Sequence, residues 1–539
     1  MSGPTAGLRE AIAAAGRLGV LDPRHLAATG TGFARWGPSI ASLYRAAAIE
    51  TPNRAAVIDH RGVLRYGDLD RRSTALARGL LRLGIEPGEE LGLLCLNHRD
   101  FVEANLAAAK AGLDVVYLNP GYAPPQLAEV LDRESVTAVV CDEDLHPKVE
   151  ASGFDGITVL ADRRPDRDPA EHRSLWEVRR LGRRRPVALR PRISRPVLLT
   201  SGTTGVPKGA RRDGDQSPVG ALGLFQRIPY RRGDVFHIAA PLFHAWGLSQ
   251  LAVAAALGST VVLTRRFSPV DTVRAVIEHE ATVLAAVPIM LQRILGDPAC
   301  DPGAMTSLRI VASSGSALPS PLVTAWMDRV GDTLYNLYGS TEVGQASVAT
   351  PYDLRRAPDT AGRVAPGSDV AVLDQDGRPL PAGSTGRIFV ASGAQFTGYT
   401  GGGSKEVIDG RMSTGDVGRF DEDGLLFVTG RADDMIISGG ENVFPAEIEH
   451  LLLAHPGIAD AAVVGLPDPE FGQRLAAFVV AGPSGAPDGD EVRRLVGARL
   501  ARHKVPRSVT FVEELPRTTT GKVLRRDLIE RSSPPGGDA

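Results

Sequence analysis

Lysine is nearly missing from this chain. Among 61 basic residues only six are lysine: Lys110, Lys148, Lys208, Lys405, Lys504 and Lys522. Lysine is a compact ammonium on a flexible stem, whereas arginine is a planar fork. A chain that writes arginine by default therefore suggests that some of those six positions need a point charge. Cysteine is scarce as well: Cys95, Cys141 and Cys300 lie far apart. That excludes a disulfide framework and metal-binding cysteine spacing, and points to a reducing compartment. The formal net charge is −2, which removes any overall electrostatic case for nucleic acid. No apolar run reaches the ~18 residues of a membrane span. The longest candidate, residues 248–263, contains Gln250, Gly258 and Ser259. Residues 8–21 are broken by Arg9, Glu10 and Arg17 and read as an amphipathic helix rather than a secretion signal. These absences predict a cytoplasmic protein without a transmembrane segment.

What is present is an ordinary globular composition, 43% apolar and 23% charged over 539 residues, long enough for two or more domains. Helix-like and strand-like runs alternate. Residues 66–83 and 101–111 have helical spacing; 91–96, 114–118 and 137–141 are strand-like. This βαβα order predicts α/β architecture with largely parallel sheets. Residues 163–195, rich in Arg and Pro, read as a solvated basic connector. From about residue 365, short alternating runs such as 370–373 and 386–390 indicate a β-rich subdomain. After a charged turn at Arg431-Ala-Asp-Asp434, helices at 445–454 and 490–500 mix with strands at 460–464, 475–480 and 508–512. The predicted division is 1–431, a small α+β domain at 432–531, and a disordered Pro/Gly tail at 532–539.

Two of the six lysines close the most motif-like stretches. Lys208 closes Thr200-Ser-Gly-Thr-Thr-Gly-Val-Pro-Lys208, and Lys522 closes Pro516-Arg-Thr-Thr-Thr-Gly-Lys522. The first follows the apolar run 196–200, which suits a buried strand. Glycines and small hydroxyl residues let a backbone approach an anion and aim N–H groups at it. The stretch therefore reads as a phosphate cradle of Thr200, Ser201, Gly202, Thr203, Thr204, Gly205 and Lys208. It is not the Walker pattern, because the Gly and Lys spacing differs and no helix-like run follows.

The segments Thr200-SGTTGVPKG-209, Tyr338-GSTE-342, Ser413-TGD-416, Gly430-RADD-434, Ser438-GGEN-442 and Thr520-GK-522 resemble, in order and spacing, the core motifs of the ANL superfamily of adenylate-forming enzymes. The pattern looks most like its acyl-CoA synthetase branch, over roughly residues 40–530. The resemblance implies a large N-terminal domain, a small mobile C-terminal domain and two half-reactions. A carboxylate attacks the α-phosphate of MgATP to give acyl-AMP and pyrophosphate, and the thiol of coenzyme A then displaces AMP.

It also implies roles. Residues 200–209 would hold the β- and γ-phosphates, Thr341 would touch the α-phosphate and Glu342 would help bind Mg²⁺. Tyr338 would stack on adenine, near Asn336, Gly315 and Ser316. Asp416 and Arg431 would bind the ribose hydroxyls. Lys522 would bridge the acid carboxylate and the α-phosphate. Asp433 stands at the hinge. Gly439 and Gly440 would flank the pantetheine tunnel, and Lys504 and Arg507 would meet CoA phosphates.

Ala240-PLFHAWG-247 occupies the acid-recognition motif. Amino-acid-activating relatives carry there an Asp that pairs with an α-amine; this chain has His244, with Trp246 as pocket wall. The implied substrate is a hydrophobic acid without an α-amine: fatty, polycyclic or aryl. Arg211-Arg-Asp-Gly-Asp215 departs from the family. Two carboxylates would oppose a triphosphate unless Arg211 and Arg212 shield them. Two alternatives follow: transfer to a carrier-protein thiol, and competence mainly in the thioester half-reaction. The oligomeric state is left open.

Overall fold

The fold is that of a computed structural model describing residues 16, 22–162, 172–183, 192–200, 207–211, 225–438, 441–468, 472–482, 485, 487–518 and 521–532. It contains four sheets. Two large sheets share the alternation expected from the sequence. At the centre of the first, Val235–Ile238, Val283–Ala286, Ile310–Ser313 and Leu334–Ser340 run parallel. At the centre of the second, Pro196–Thr200, Asp114–Tyr117, Glu90–Leu94 and Val136–Asp142 run parallel. These strands are apolar almost throughout because helices or sheet partners cover both faces.

Helix Arg99–Ala111 is buried along its whole length and belongs to the shared core. Its N-cap is His98, whose ring accepts from the Asp100 N–H, and Gly112 ends it in the left-handed conformation. The third sheet is antiparallel and includes Ser368–Leu373, Gly386–Ser392, Arg411–Phe420 and Leu426–Arg431. The fourth includes Ile436–Ser438, Ile458–Asp468, Gly472–Ala481 and Ser508–Val512. Residues 432–435 join the third sheet to the fourth. The architecture is therefore α/β with a β-rich subdomain and a smaller α+β unit.

Two expectations need correction. Residues 163–195 are not a plain connector: Arg173–Ser174 is a strand and Leu175–Gly182 a helix. The signal was present. Ser174 and Glu177 form a reciprocal capping box, and Leu175 and Val178 are buried. The helix lies so close to helix Tyr66–Arg82 that a Cβ on Gly182 would sit 1.7 Å from the Ala75 carbonyl oxygen. Its flanking arginines masked this short apolar face. Secondly, Ser532, assigned to the tail, closes helix Arg525–Ser532; residues 533–539 lie outside the described residues.

Among the described residues no helix is long and apolar enough to cross a membrane. Residues 248–263 fold as the end of helix Ala245–Ala256 followed by strand Thr260–Val262. Lys110 explains one of the rare lysines. Its buried ammonium donates to the Asp70 carboxylate and carbonyl, Ser73 Oγ and Thr74 Oγ1. A compact three-proton donor suits that clustered set of oxygens.

Candidate active site

The phosphate-cradle segment joins two antiparallel strands, Pro196–Thr200 and Lys208–Arg211, with Thr200 opposite Lys208. The chain leaves the segment directly as strand Lys208–Arg211. Ser201, Gly202, Thr203, Thr204 and Gly205 lie outside the described residues. Strand Gly398–Tyr399 pairs with the Lys208 strand and carries Tyr399 beneath the lysine, with the ammonium 5.4 Å from the ring centroid. The Tyr399 hydroxyl donates to Glu342 Oε1 at 3.0 Å.

Glu342 is buried. Burial alone would push its carboxyl up, but the Lys405 ammonium and hydrogen bonds from Ser340 and Tyr399 hold it below the ordinary range. It is therefore an anion at neutral pH with oxygen lone pairs still open. Thr341 stands between Ser340 and Glu342 in the same turn.

Asp416 and Arg431 face each other across the third sheet, with Arg431 Nε 3.6 Å from Asp416 Oδ1. The Tyr338 hydroxyl donates to Asp416 Oδ2 at 2.6 Å. Burial pushes the Asp416 carboxyl up, and Tyr338, Arg431, Lys405 and Lys522 partly offset this. Asn336 is paired with Ser313 on the neighbouring strand, two residues before Gly315 and three before Ser316. Its amide donates to the Thr360 carbonyl at 3.2 Å, which fixes the side chain at the strand ends.

Lys522 arrives on a turn of the small domain. Thr518 N–H donates to the Lys522 carbonyl at 2.8 Å, Lys522 N–H donates to Thr518 Oγ1 at 3.1 Å, and Arg517 grips Asp460 with two bonds of 2.7 and 2.6 Å. Gly521 has φ +81°, and a Cβ there would lie 2.5 Å from Ile289 Cγ2. Only glycine lets the turn press so closely on the large domain. Burial and the neighbouring Arg431 pull the Lys522 ammonium down, while Asp416 and Glu342 oppose them; the net shift is downward. The residue is solvent-accessible, yet Arg431, Asp416, Glu342 and Lys405 all act on its ammonium.

His244 stands at the N-cap position of helix Ala245–Ala256 without a side-chain capping bond, its ring 4.3 Å from that of Phe243. Burial, with Lys522 nearby, lowers the imidazole to about 4, so it is neutral at physiological pH. Trp246 Nε1 donates to the Ala286 carbonyl at 3.0 Å, fixing the indole against the core.

The structure thus gathers Glu342, Tyr338, Asp416, Arg431, Lys522 and His244, and joins Lys208 through Tyr399. Asp433 accepts from Arg431 at 3.0 Å within the segment between the sheets. Lys504 is elsewhere, paired with Glu447 at 2.6 Å, and Arg507 lies at the start of strand Ser508–Val512 with its N–H on the Leu475 carbonyl. Neither joins the Lys522 cluster. Gly439 and Gly440 lie outside the described residues. The Arg211 guanidinium is 2.9 Å from Glu90 Oε1. Arg212, Asp213 and Asp215 lie outside the described residues.

Three contributors were missed in the sequence. Lys405 donates to the Thr414 carbonyl at 2.7 Å and faces both carboxylates; its rarity as a lysine was the available signal. Tyr399 had none, since strand pairing places it. Asn97, in the bend after strand Glu90–Leu94 of the second sheet, donates to the Ala240 carbonyl at 3.0 Å and accepts from the Leu242 N–H at 2.9 Å. It clamps the loop that presents His244. Replacing Asn97 by alanine is expected to raise KM for the acid ~10-fold or more, because two buried loop groups lose partners, with KM for ATP little changed. Steady-state kinetics on both substrates checks this; equal changes in both would remove the loop-specific role.

Known proteins give the same picture. A profile of AMP-binding enzymes matches residues 44–400, and one of the AMP-binding enzyme C-terminal domain matches residues 447–522. The chain belongs to the AMP-binding enzyme family. A feruloyl-CoA synthase from Amycolatopsis sp is 33% identical over 488 residues, covering 89% of this chain and 96% of the relative. A fatty acid–[acyl-carrier-protein] ligase, ScoC, from Streptomyces coeruleorubidus is 32% identical over 497 residues, covering 89% and 94%. The solved structure of the amide bond synthetase McbA from Marinactinospora thermotolerans superposes with a TM-score of 0.80 at 27% identity, covering 92% of this chain and 100% of that one. This AMP-binding enzyme is an adenylate-forming member of the ANL superfamily, in its acyl-CoA synthetase branch.

Proposed function

We propose that this enzyme converts a hydrophobic carboxylic acid lacking an α-amine (fatty, polycyclic or aryl) into its CoA thioester through an acyl-adenylate. The observation that carries the reading is the placement of Lys522 between the Asp416–Arg431 pair and His244. A nucleotide would sit on one side and an acid on the other. The acid carboxylate oxygen attacks the α-phosphorus, a new O–P bond forms, and the bond to the pyrophosphate oxygen breaks. Lys522 sets positive charge where the five-coordinate phosphorus gathers negative charge.

His244 is neutral, so it orients the acid by a hydrogen bond rather than by charge. Thr341 would touch the α-phosphate, and Asp416 and Arg431 would hold the ribose. Tyr338 gives its hydroxyl to Asp416 and leaves its ring face for adenine. Glu342 fits a Mg²⁺ ion: it is an ionised, buried oxygen donor beside the phosphate strand, and a hard cation prefers such ligands. When bound, Mg²⁺ would neutralise phosphate charge. The thiol of coenzyme A then attacks the acyl carbonyl and AMP leaves. Asp433 is the proposed hinge for the intervening rotation. That movement would carry the Lys504–Glu447 pair with the small domain and bring the segment of Gly439 and Gly440 to the tunnel; Lys504 and Arg507 are the proposed phosphate contacts of CoA.

The acid class rests on the pocket side of the site. Residues 240–247 contain no carboxylate to pair an amine, and Phe243, His244 and Trp246 supply aromatic surface. The relative named as a feruloyl-CoA synthase supports an aryl acid. A carrier-protein thiol is the second reading, supported by the relative that serves one. Against it, only residues 439–440 lie between the paired strands Ile436–Ser438 and Glu441–Val443, so no insertion obstructs CoA there.

Mass spectrometry of the enzyme with MgATP, a panel of aryl, fatty and polycyclic acids, and either CoA or a phosphopantetheinylated carrier protein tests both readings. Acyl-AMP alone, then acyl-CoA on adding CoA, is the expected result. Acyl-carrier product without acyl-CoA would replace the CoA reading. Thioester from supplied acyl-AMP with no adenylate from any acid would leave only the thioester half-reaction.

A further inference from the structure

The basic run set aside in the sequence as a solvated connector lines an open cavity of about 540 Å³ on the side of helix Tyr66–Arg82, sharing no residue with the catalytic cluster. Its walls come from helices Pro23–Trp36, Ile40–Glu50, Tyr66–Arg82 and Leu175–Gly182, and eight of its fourteen lining residues are arginine. The volume suits a small molecule, within the usual range of roughly 300–1,000 Å³.

The carboxylates at this place are already shared. Asp70 serves Arg45 at 2.7 Å and Lys110 at 2.9 Å. Glu103, behind the wall, serves Arg72 at 2.9 Å and Arg179 at 2.7 Å. Asp68 serves Arg71 at 2.5 Å. Arg35, Arg78, Arg180 and Arg183 have no carboxylate partner among the described residues. Trp36 is only 4% exposed, yet its indole N–H has no acceptor among the described residues, and the same is true of the buried Nε atoms of Arg35, Arg72 and Arg78. Buried donors without acceptors are rare and point to an absent partner. Like charges held this close repel unless an anion sits between them.

We propose that this cavity binds a di- or triphosphate group, free or carried by a nucleotide. Several guanidinium forks converging with an indole N–H match a ligand that presents many charged oxygens in a short span. A carboxylate presents two. The site is concave and walled by helices, which suits a small anion rather than a lipid surface.

Calorimetric titration of the full chain with tripolyphosphate tests this. The wild-type enzyme is expected to show two classes of binding, one at the catalytic phosphate strand and one in the cavity. Lys208→Ala should weaken the first and leave the second. Arg78→Gln/Arg183→Gln should weaken the second at least tenfold while acyl-adenylate formation continues, which also reports a folded protein. Arg180→Gln, on an exposed position, is the gentler second variant and should weaken it by a smaller factor. ADP titrated into the Lys208→Ala protein separates a nucleotide, which would bind more tightly than pyrophosphate, from a bare polyphosphate, which would not. A single class abolished by Lys208→Ala, or one untouched by the arginine variants, would overturn the proposal.

Discussion

Lys522→Ala is expected to slow acyl-adenylate formation by ~10²–10³-fold, the usual cost of deleting one preorganised charge or donor at a transition state. The same variant should still turn supplied acyl-AMP and CoA into thioester, because the proposed rotation carries Lys522 away before that step. Single-turnover assays of each half-reaction check this, and equal loss in both would remove Lys522 from its assigned step. The pH profile carries a second signature. Burial and Arg431 pull the Lys522 ammonium down from its ordinary value. As pH rises the lysine loses its proton and the charge disappears, so adenylation should fall along an alkaline limb that begins below the ~10.4 of a free lysine. Lys522→Arg keeps its charge across that range. It should be slower at neutral pH and should lack the limb. Pyrophosphate exchange across pH reads both outcomes; an identical limb in the arginine variant would assign it to another group.

Glu342→Gln is expected to have the next largest effect. The side chain keeps its shape and an oxygen for the Tyr399 hydroxyl, 3.0 Å away, but loses the charge that the surroundings hold in place. Because a hard cation prefers an anionic oxygen, the Mg²⁺ concentration for half-maximal adenylation should rise ~10–100-fold, a span typical of disturbed metal surroundings. Tyr399→Phe, which removes only a hydroxyl, should shift it less. Adenylation measured against Mg²⁺ gives both values. An unchanged Mg²⁺ requirement in Glu342→Gln would sink the metal-binding role.

Much of this site was legible because short-range chemistry wrote it. The Tyr338 to Glu342 turn and the glycine before Lys522 are local solutions to chain reversal and close approach, so neighbouring residues carry the pattern. The alternation of apolar runs gave the α/β class for the same reason: strand and helix periods are local. The residues that escaped were placed by distant pairing. Tyr399 reaches Glu342 only because its strand joins the Lys208 strand. Asn97 meets the His244 loop only because the two large sheets abut. Helix Leu175–Gly182 was hidden because its apolar face is only a few residues among arginines, and a glycine contact with helix Tyr66–Arg82 supplies what its length does not.

By itself, then, the sequence determined the superfamily and the α/β order, and it supplied the residue types proposed to handle ATP, since those depend on motif spacing and backbone permissiveness. The tertiary structure decided which charges meet. It set Lys405 between two carboxylates, neutralised His244 by burial, drew Arg211 to Glu90 and collected arginines from four helices around one cavity. Electrostatic energy depends on distance and solvent access, and neither is written along the chain.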